Sequence, residues 1–81
     1  MVRAHKEIRA ALRLRLSRPA AWHRLDALLP ARERDAIYYA DVEREPLMDV
    51  ADRLCCTESG VKKLRHRGYG RLASLPSDTW Y

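Results

Sequence analysis

Four prolines, at positions 19, 30, 46 and 76, cut this chain into segments, and in each segment apolar residues recur at helical spacing. Proline fixes φ and lacks an N–H, so it opens a helix or stops one. Strand signals are nearly absent: there is no sustained alternation, no Asn-Gly or Asp-Gly pair, and few β-branched residues. The expected fold is therefore all-α, a compact bundle of about five helices. With 81 residues the chain is expected to form one domain (1–81), because so short a chain buries only about 60% of its unfolded surface.

The spacing predicts a first helix from Arg3 to about Leu16, with Ala4, Ile8, Ala11 and Leu12 on one face and Lys6, Arg9 and Arg13 on the other. A second helix opens at Pro19, carries Trp22, Leu25, Leu28 and Leu29 at core spacing, and stops near Pro30. A third spans about Ala31 to Val42, bringing Ala36, Ile37 and Ala40 to the face that holds Glu33; Pro46 then disfavours helical geometry at the residue before it. The fourth is short, with Leu47, Val50, Ala51 and Leu54 as its apolar stripe. Thr57 is suited to N-cap a fifth helix, whose inner arc holds Val61, Leu64, Gly68, Leu72 and Leu75 before Pro76 closes it. Residues 76–81 form a short tail that ends in Trp80 and Tyr81.

Cys55 and Cys56 are neighbours, so they cannot staple distant parts of the chain. Zinc would need four ligands at workable spacing, and His5, His23 and His66 are scattered; no metal or other cofactor is expected. A catalytic thiol would want an oriented base, and His66 lies ten residues from Cys56, so no enzymatic activity is expected. The cysteines instead mark the corner between a short helix and a longer one with an apolar inner and a basic outer face. That is the helix-turn-helix arrangement, with Ala51 at the close crossing and Cys56 tucked beneath the turn.

Charge is distributed unevenly. Residues 1–24 hold seven basic and one acidic residue, residues 25–54 four and eight, and residues 55–81 five and two, for a net charge of +5. Basic ends around an acidic middle suit a chain whose two ends flank a polyanion, although surface charge also serves solubility alone. No apolar run reaches the roughly 18 residues of a membrane span, and no signal peptide is evident, so a soluble, cytoplasmic protein with no membrane partner is expected.

Several pieces stand in one order without a gap: LPARERDAI (Leu29 to Ile37), DVADRL (Asp49 to Leu54), TESGVKK (Thr57 to Lys63) and RHRGYGRLA (Arg65 to Ala73). In them the chain resembles the region 4 domain of bacterial sigma-70-type factors and, more loosely, the DNA-binding domain of LuxR-type regulators. The resemblance covers about half the chain, with residues 29–75 as the helix-turn-helix unit and residues 1–28 as an N-terminal helical extension. Two positions depart from it: Cys55 stands where the family usually has glycine, and Asp41 where an aromatic is common. Without the promoter-melting and core-binding regions of a full sigma factor, the chain is not expected to initiate transcription alone. Small phage and prophage regulators carry such a helix-turn-helix on a short chain, which implies a bacterial cell or a phage-infected host.

The resemblance implies a sequence-specific regulator that binds double-stranded DNA, with the recognition helix at about 57–74 in the major groove. Ser59, Lys62, Lys63 and His66 are then expected to reach base edges, and Thr57, Arg65, Arg67 and Arg71 phosphates. Glu58 has two readings, a contact to a cytosine amino group or a first-turn acid at the positive end of the helix dipole. Glu33 has two readings, a pair with a basic residue of the last helix that locks the bundle or a solvated first-turn acid; the arc that it shares with Ile37 and Ala40 favours the pair. Lys6, Arg9 and Arg13 form a second basic surface that would serve phosphates, a protein partner or solvent. The alternative function is a protein-interaction module that docks on RNA polymerase or another regulator without base contacts. A single module would bind DNA weakly unless a homodimer or polymerase added affinity.

Overall fold

The computed structural model describes residues 4–76. The expected start of the first helix at Arg3 and the tail with Trp80 and Tyr81 lie outside them. Among the described residues five α-helices follow one another: α1 (His5–Leu14), α2 (Arg18–Leu28), α3 (Ala31–Ile37), α4 (Leu47–Arg53) and α5 (Glu58–Ala73). Between α3 and α4 the chain continues as a π-helical turn, Tyr38–Val42. There is no strand among the described residues, and the all-α bundle expected from the sequence is the fold observed.

Local signals explain the boundaries. The Ser17 hydroxyl accepts from the Ala20 amide at 3.2 Å and Pro19 follows in the first turn, so α2 starts one residue ahead of the proline. Thr57 does the same for α5, accepting from Gly60 N–H at 3.0 Å. The third segment runs to Val42 as expected, but not as one regular helix. Glu43 N–H bonds back to the Tyr38 carbonyl at 2.9 Å, five residues away, and Glu45 N–H to Tyr39 O at 2.9 Å, six away. Arg44, at φ 59°, then turns the chain toward Pro46 and α4.

Two apolar clusters hold the bundle. In one, Ile8 and Leu12 of α1, Ala21 and Leu25 of α2, Leu29, Ile37 of α3, and Tyr69 and Leu72 of α5 are buried together. In the other, Ala36, Val50, Ala51, Leu54 and Val61 join α3, α4 and the first turns of α5. Each large side chain fully removed from water contributes about 1.5–3 kcal/mol. Helix α5 carries residues of both clusters and so sits centrally in the fold. Its approach to α3 is close: a Cβ built on buried Gly68 would fall 2.6 Å from Ile37 Cδ1. On α1, Ala4 is exposed, so the apolar face begins at Ile8.

The turn between α4 and α5 is a Schellman motif. Cys55 N–H donates to Asp52 O at 3.2 Å and Cys56 N–H to Ala51 O at 3.0 Å, which closes the last carbonyls of α4. This geometry demands a left-handed residue after the C-cap, and Cys55 supplies it at φ 53°. Cys56 is half-buried against the second cluster, with its Cβ and Sγ each 3.5 Å from the Cβ position of Gly60. Both cysteines are free.

Candidate nucleic-acid interface

The acidic middle of the sequence is largely consumed as internal counter-ions. Arg34 bridges Asp26 at 2.6 Å and Asp35 at 2.9 Å. Arg53 grips Glu45 through Nη2 at 2.8 Å and Nε at 3.2 Å, and Arg18 reaches Glu43 at 3.3 Å. Glu33, buried on α3, accepts from Arg71 Nε of α5 at 2.8 Å, so the expected pairing to the last helix is present. The exposed pairs contribute at most about 1 kcal/mol each, but they decide which cations are left over.

On α5, Ser59, Lys62, Lys63, His66 and Arg67 are all exposed. Helical spacing gathers them on the arc opposite Val61, Gly68 and Leu72, as the sequence reading expects. Among the described residues no carboxylate lies within 4.0 Å of Lys62, Lys63 or Arg67. Thr57 is exposed, but its side chain is engaged in capping the helix. Glu58, also exposed, occupies the first turn of α5, where a negative charge complements the helix dipole.

Two of the four expected phosphate contacts are held differently. Arg71 is exposed but engaged with Glu33. Arg65 is turned inward, its side chain 24% exposed, donating through Nη2 to Asp41 Oδ1 at 2.6 Å and through Nε to Oδ2 at 3.3 Å. A guanidinium committed in this way reaches a phosphate only with whatever N–H groups Asp41 leaves over.

Asp41 is the residue around which this end of the fold is arranged. It is 2% exposed and sits in the π-helical turn, where it meets α1 and α5 together. Besides Arg65, it accepts from the Tyr69 hydroxyl. Its backbone carbonyl accepts from Arg13 Nε at 2.6 Å, and Arg13 Nη2 and Arg9 Nε stand 3.7 and 3.9 Å from its carboxylate. A buried charge is tolerable only when paired and hydrogen-bonded, and three arginines and a phenol do both. The Tyr69 hydroxyl is pushed above the ordinary tyrosine range, first by burial and then by the adjacent Asp41 charge and hydrogen bond.

The second basic surface expected at Lys6, Arg9 and Arg13 therefore divides. Lys6 is exposed, whereas Arg9 and Arg13 turn toward Asp41. Their helical positions allow this, since Arg9 lies only three residues from Leu12 and borders the apolar arc. Arg9 also lies over the Tyr69 ring at 5.4 Å. Sequence reading missed Asp41 and Tyr69 as partners. The available signals were an acid between two apolar residues, Ala40 and Val42, and the i, i+4 spacing of Arg65 and Tyr69 on one flank of α5.

Where Asp41 closes the junction from within, its outer side is a cleft between α1 and α5 lined by His5, Arg9, Lys62, Arg65, His66 and Tyr69, with a volume of about 160 Å³. The His5 ring stacks on Tyr69 at 5.6 Å and lies 5.5 Å from that of His66. No group of three or more His, Cys, Asp or Glu side chains among the described residues is arranged to hold a metal ion. No described helix is long and apolar enough to cross a membrane. Comparison with known proteins gives no match: neither a family model, nor a curated protein, nor a solved structure matches the chain.

Proposed function

We propose that this chain is a sequence-specific, non-enzymatic regulator that binds double-stranded DNA through α5, with α4 and the Schellman turn presenting that helix to the major groove. One observation carries the reading. The outer arc of a helix whose inner arc is locked into both clusters presents Ser59, Lys62, Lys63, His66 and Arg67, and its cations have no acidic partner among the described residues. Such an arc supplies both parts of a DNA contact: charge for the phosphates, and donors of a length that reaches guanine O6 and N7. The resemblance to sigma region 4 over residues 29–75 supports the same placement.

In this reading Lys62, Lys63, His66 and Ser59 contact bases, and Arg67 contacts phosphate, with Thr57 and Arg71 at the margins. Regulation of transcription, alone, as a homodimer or beside RNA polymerase in a bacterial or phage setting, follows from the resemblance.

The test is a fluorescence titration of mixed short duplexes at two salt concentrations, repeated with Lys62→Glu/Lys63→Glu. Salt-steep binding that prefers certain duplexes and disappears in the double variant is the expected result. Weak binding to every duplex alike, unchanged by the double variant, would overturn the proposal in favour of docking on a protein such as polymerase.

A further inference from the structure

We infer that the cleft between α1 and α5 is a phosphate-class oxyanion site, and that it makes the N-terminal helix part of the surface that grips the nucleic-acid backbone. Its use by DNA rests on the function proposed above; the site itself does not.

Charge points to an anion. Beneath the cleft, the single negative charge of Asp41 faces Arg9, Arg13 and Arg65, leaving an excess of two positive charges. Lys62 adds another at the rim, with no acidic partner among the described residues. Asp41 Oδ2, the carboxylate oxygen nearest Arg9, already accepts from both Tyr69 and Arg65, so its two acceptor positions are filled and it does not also bond Arg9.

These residues border a shared space. Arg9 Nε is buried beside Asp41 without a hydrogen bond, so Arg9 brings its charge to the wall of the cleft rather than that N–H. Arg65 spends Nε and Nη2 on Asp41 and keeps Nη1 uncommitted. His5 and His66 bring two imidazoles to the mouth, their rings 5.5 Å apart. Guanidinium, ammonium and imidazole groups converging on one spot are the donor set that an oxyanion takes up.

Size narrows the class. The cleft is open to solvent, and its volume of about 160 Å³, below the roughly 300–1,000 Å³ of sites that enclose a drug-sized molecule, accommodates one phosphate group and some water while the rest of a larger ligand lies outside. Position indicates the source. Lys62 and His66 belong both to the cleft and to the exposed arc of α5, so a backbone phosphate flanking the bases read by that arc would fall between α1 and α5. The same chemistry would accept free phosphate or a phosphorylated small molecule.

Two arms test this on the full chain. In the first, inorganic phosphate is titrated against sodium chloride of equal ionic strength while the imidazole NMR signals of His5, His66 and His23 are followed. The expected result is a saturable shift of His5 and His66, with His23 unmoved. In the second, His5→Glu places a carboxylate in the mouth, and His5→Gln controls for shape. His5→Glu should abolish the phosphate shift and weaken DNA binding by about tenfold for all sequences alike. It should also reduce the log–log salt slope by about one unit, the loss of one phosphate contact.

Phosphate binding without DNA binding would keep the site, assign it to a free phosphate or phosphorylated small molecule, and reject the regulator reading. DNA binding with an unchanged salt slope in His5→Glu, and phosphate shifts no larger than those from chloride, would overturn the site and leave the regulator reading standing.

Discussion

Arg65 and Asp41 stand 24 residues apart in the sequence and meet at 2.6 Å, Nη2 to Oδ1, beneath the junction of α1 and α5. Through this contact the helix proposed to read DNA is anchored to the π-helical turn by the same carboxylate that Arg13 and Arg9 of α1 approach. One buried acid thus ties α1 and α5 to the π-helical turn.

Removing that acid strands three guanidiniums with no carboxylate. Asp41→Ala should lower the unfolding free energy by about 3–5 kcal/mol, the range for breaking a buried ion pair from one side, and Asp41→Asn by less, since the amide retains an acceptor. Urea unfolding followed by circular dichroism measures both. A loss under about 1 kcal/mol in Asp41→Ala would show that the cluster is solvated and merely decorative.

The two glycines near the end of α5 should respond in opposite directions. Gly70 has no atom within 4 Å of its Cβ position, so Gly70→Ala should stabilise by about 0.5–1 kcal/mol through helix propensity alone. Gly68→Ala gains the same propensity but drives its methyl to 2.6 Å from the fully buried Ile37 Cδ1. Overpacking of this kind costs about 1–3 kcal/mol. The net effect should be a loss of about 1 kcal/mol, and Gly68→Leu should not fold to the native bundle. Thermal melts of the three variants decide it, and equal melting temperatures for Gly68→Ala and Gly70→Ala would refute the close α3–α5 approach.

At the Schellman turn, Cys55 occupies a left-handed backbone at φ 53°, which costs a side chain about 1–2 kcal/mol relative to glycine. Against this, glycine makes the unfolded chain more flexible by about 0.4–1 kcal/mol. Cys55→Gly should therefore stabilise modestly, by about 0.5–1 kcal/mol, and Cys55→Val should destabilise because β-branching worsens the same strain. Chemical denaturation under reducing conditions reads both changes, and a less stable Cys55→Gly would contradict the assigned geometry.

The helices were legible because four of the five open at a local signal, Pro19, Pro30, Pro46 or Thr57, and because apolar residues recur along them at helical spacing. Glu33 could be paired with the last helix because it shares an arc with Ile37, on the face where Gly68 lets α5 approach. Asp41 could not be placed in the same way. Tyr38–Val42 contains neither proline nor glycine to announce the wider π-helical bonding. The partners of Asp41 lie on two other helices, so its role depends on tertiary packing that no periodicity encodes. The basic stripe on α1 shows the same limit: periodicity places Arg9 and Arg13 on a face but cannot reveal the buried carboxylate that they approach.

Alkaline pH should expose the two constrained tyrosines. Burial, aided by the hydrogen bond to Glu43, pushes Tyr38 up to about 12. Burial and then Asp41 push Tyr69 up as well. Unfolded tyrosine ionises near pH 10, so both groups are raised on folding. Their contribution to stability is complete below about pH 10 and is lost as pH climbs toward the folded values, because only the unfolded chain releases those protons in that window. Urea unfolding at about pH 8 and pH 11 should show a marked alkaline drop in the wild type. Tyr69→Phe, although less stable at the lower pH for want of its bond to Asp41, should show a shallower drop, and Tyr38→Phe/Tyr69→Phe one shallower still. If all three chains lost stability in parallel between the two pH values, other groups would be responsible for the alkaline response, and the buried Tyr69–Asp41 contact would not govern it.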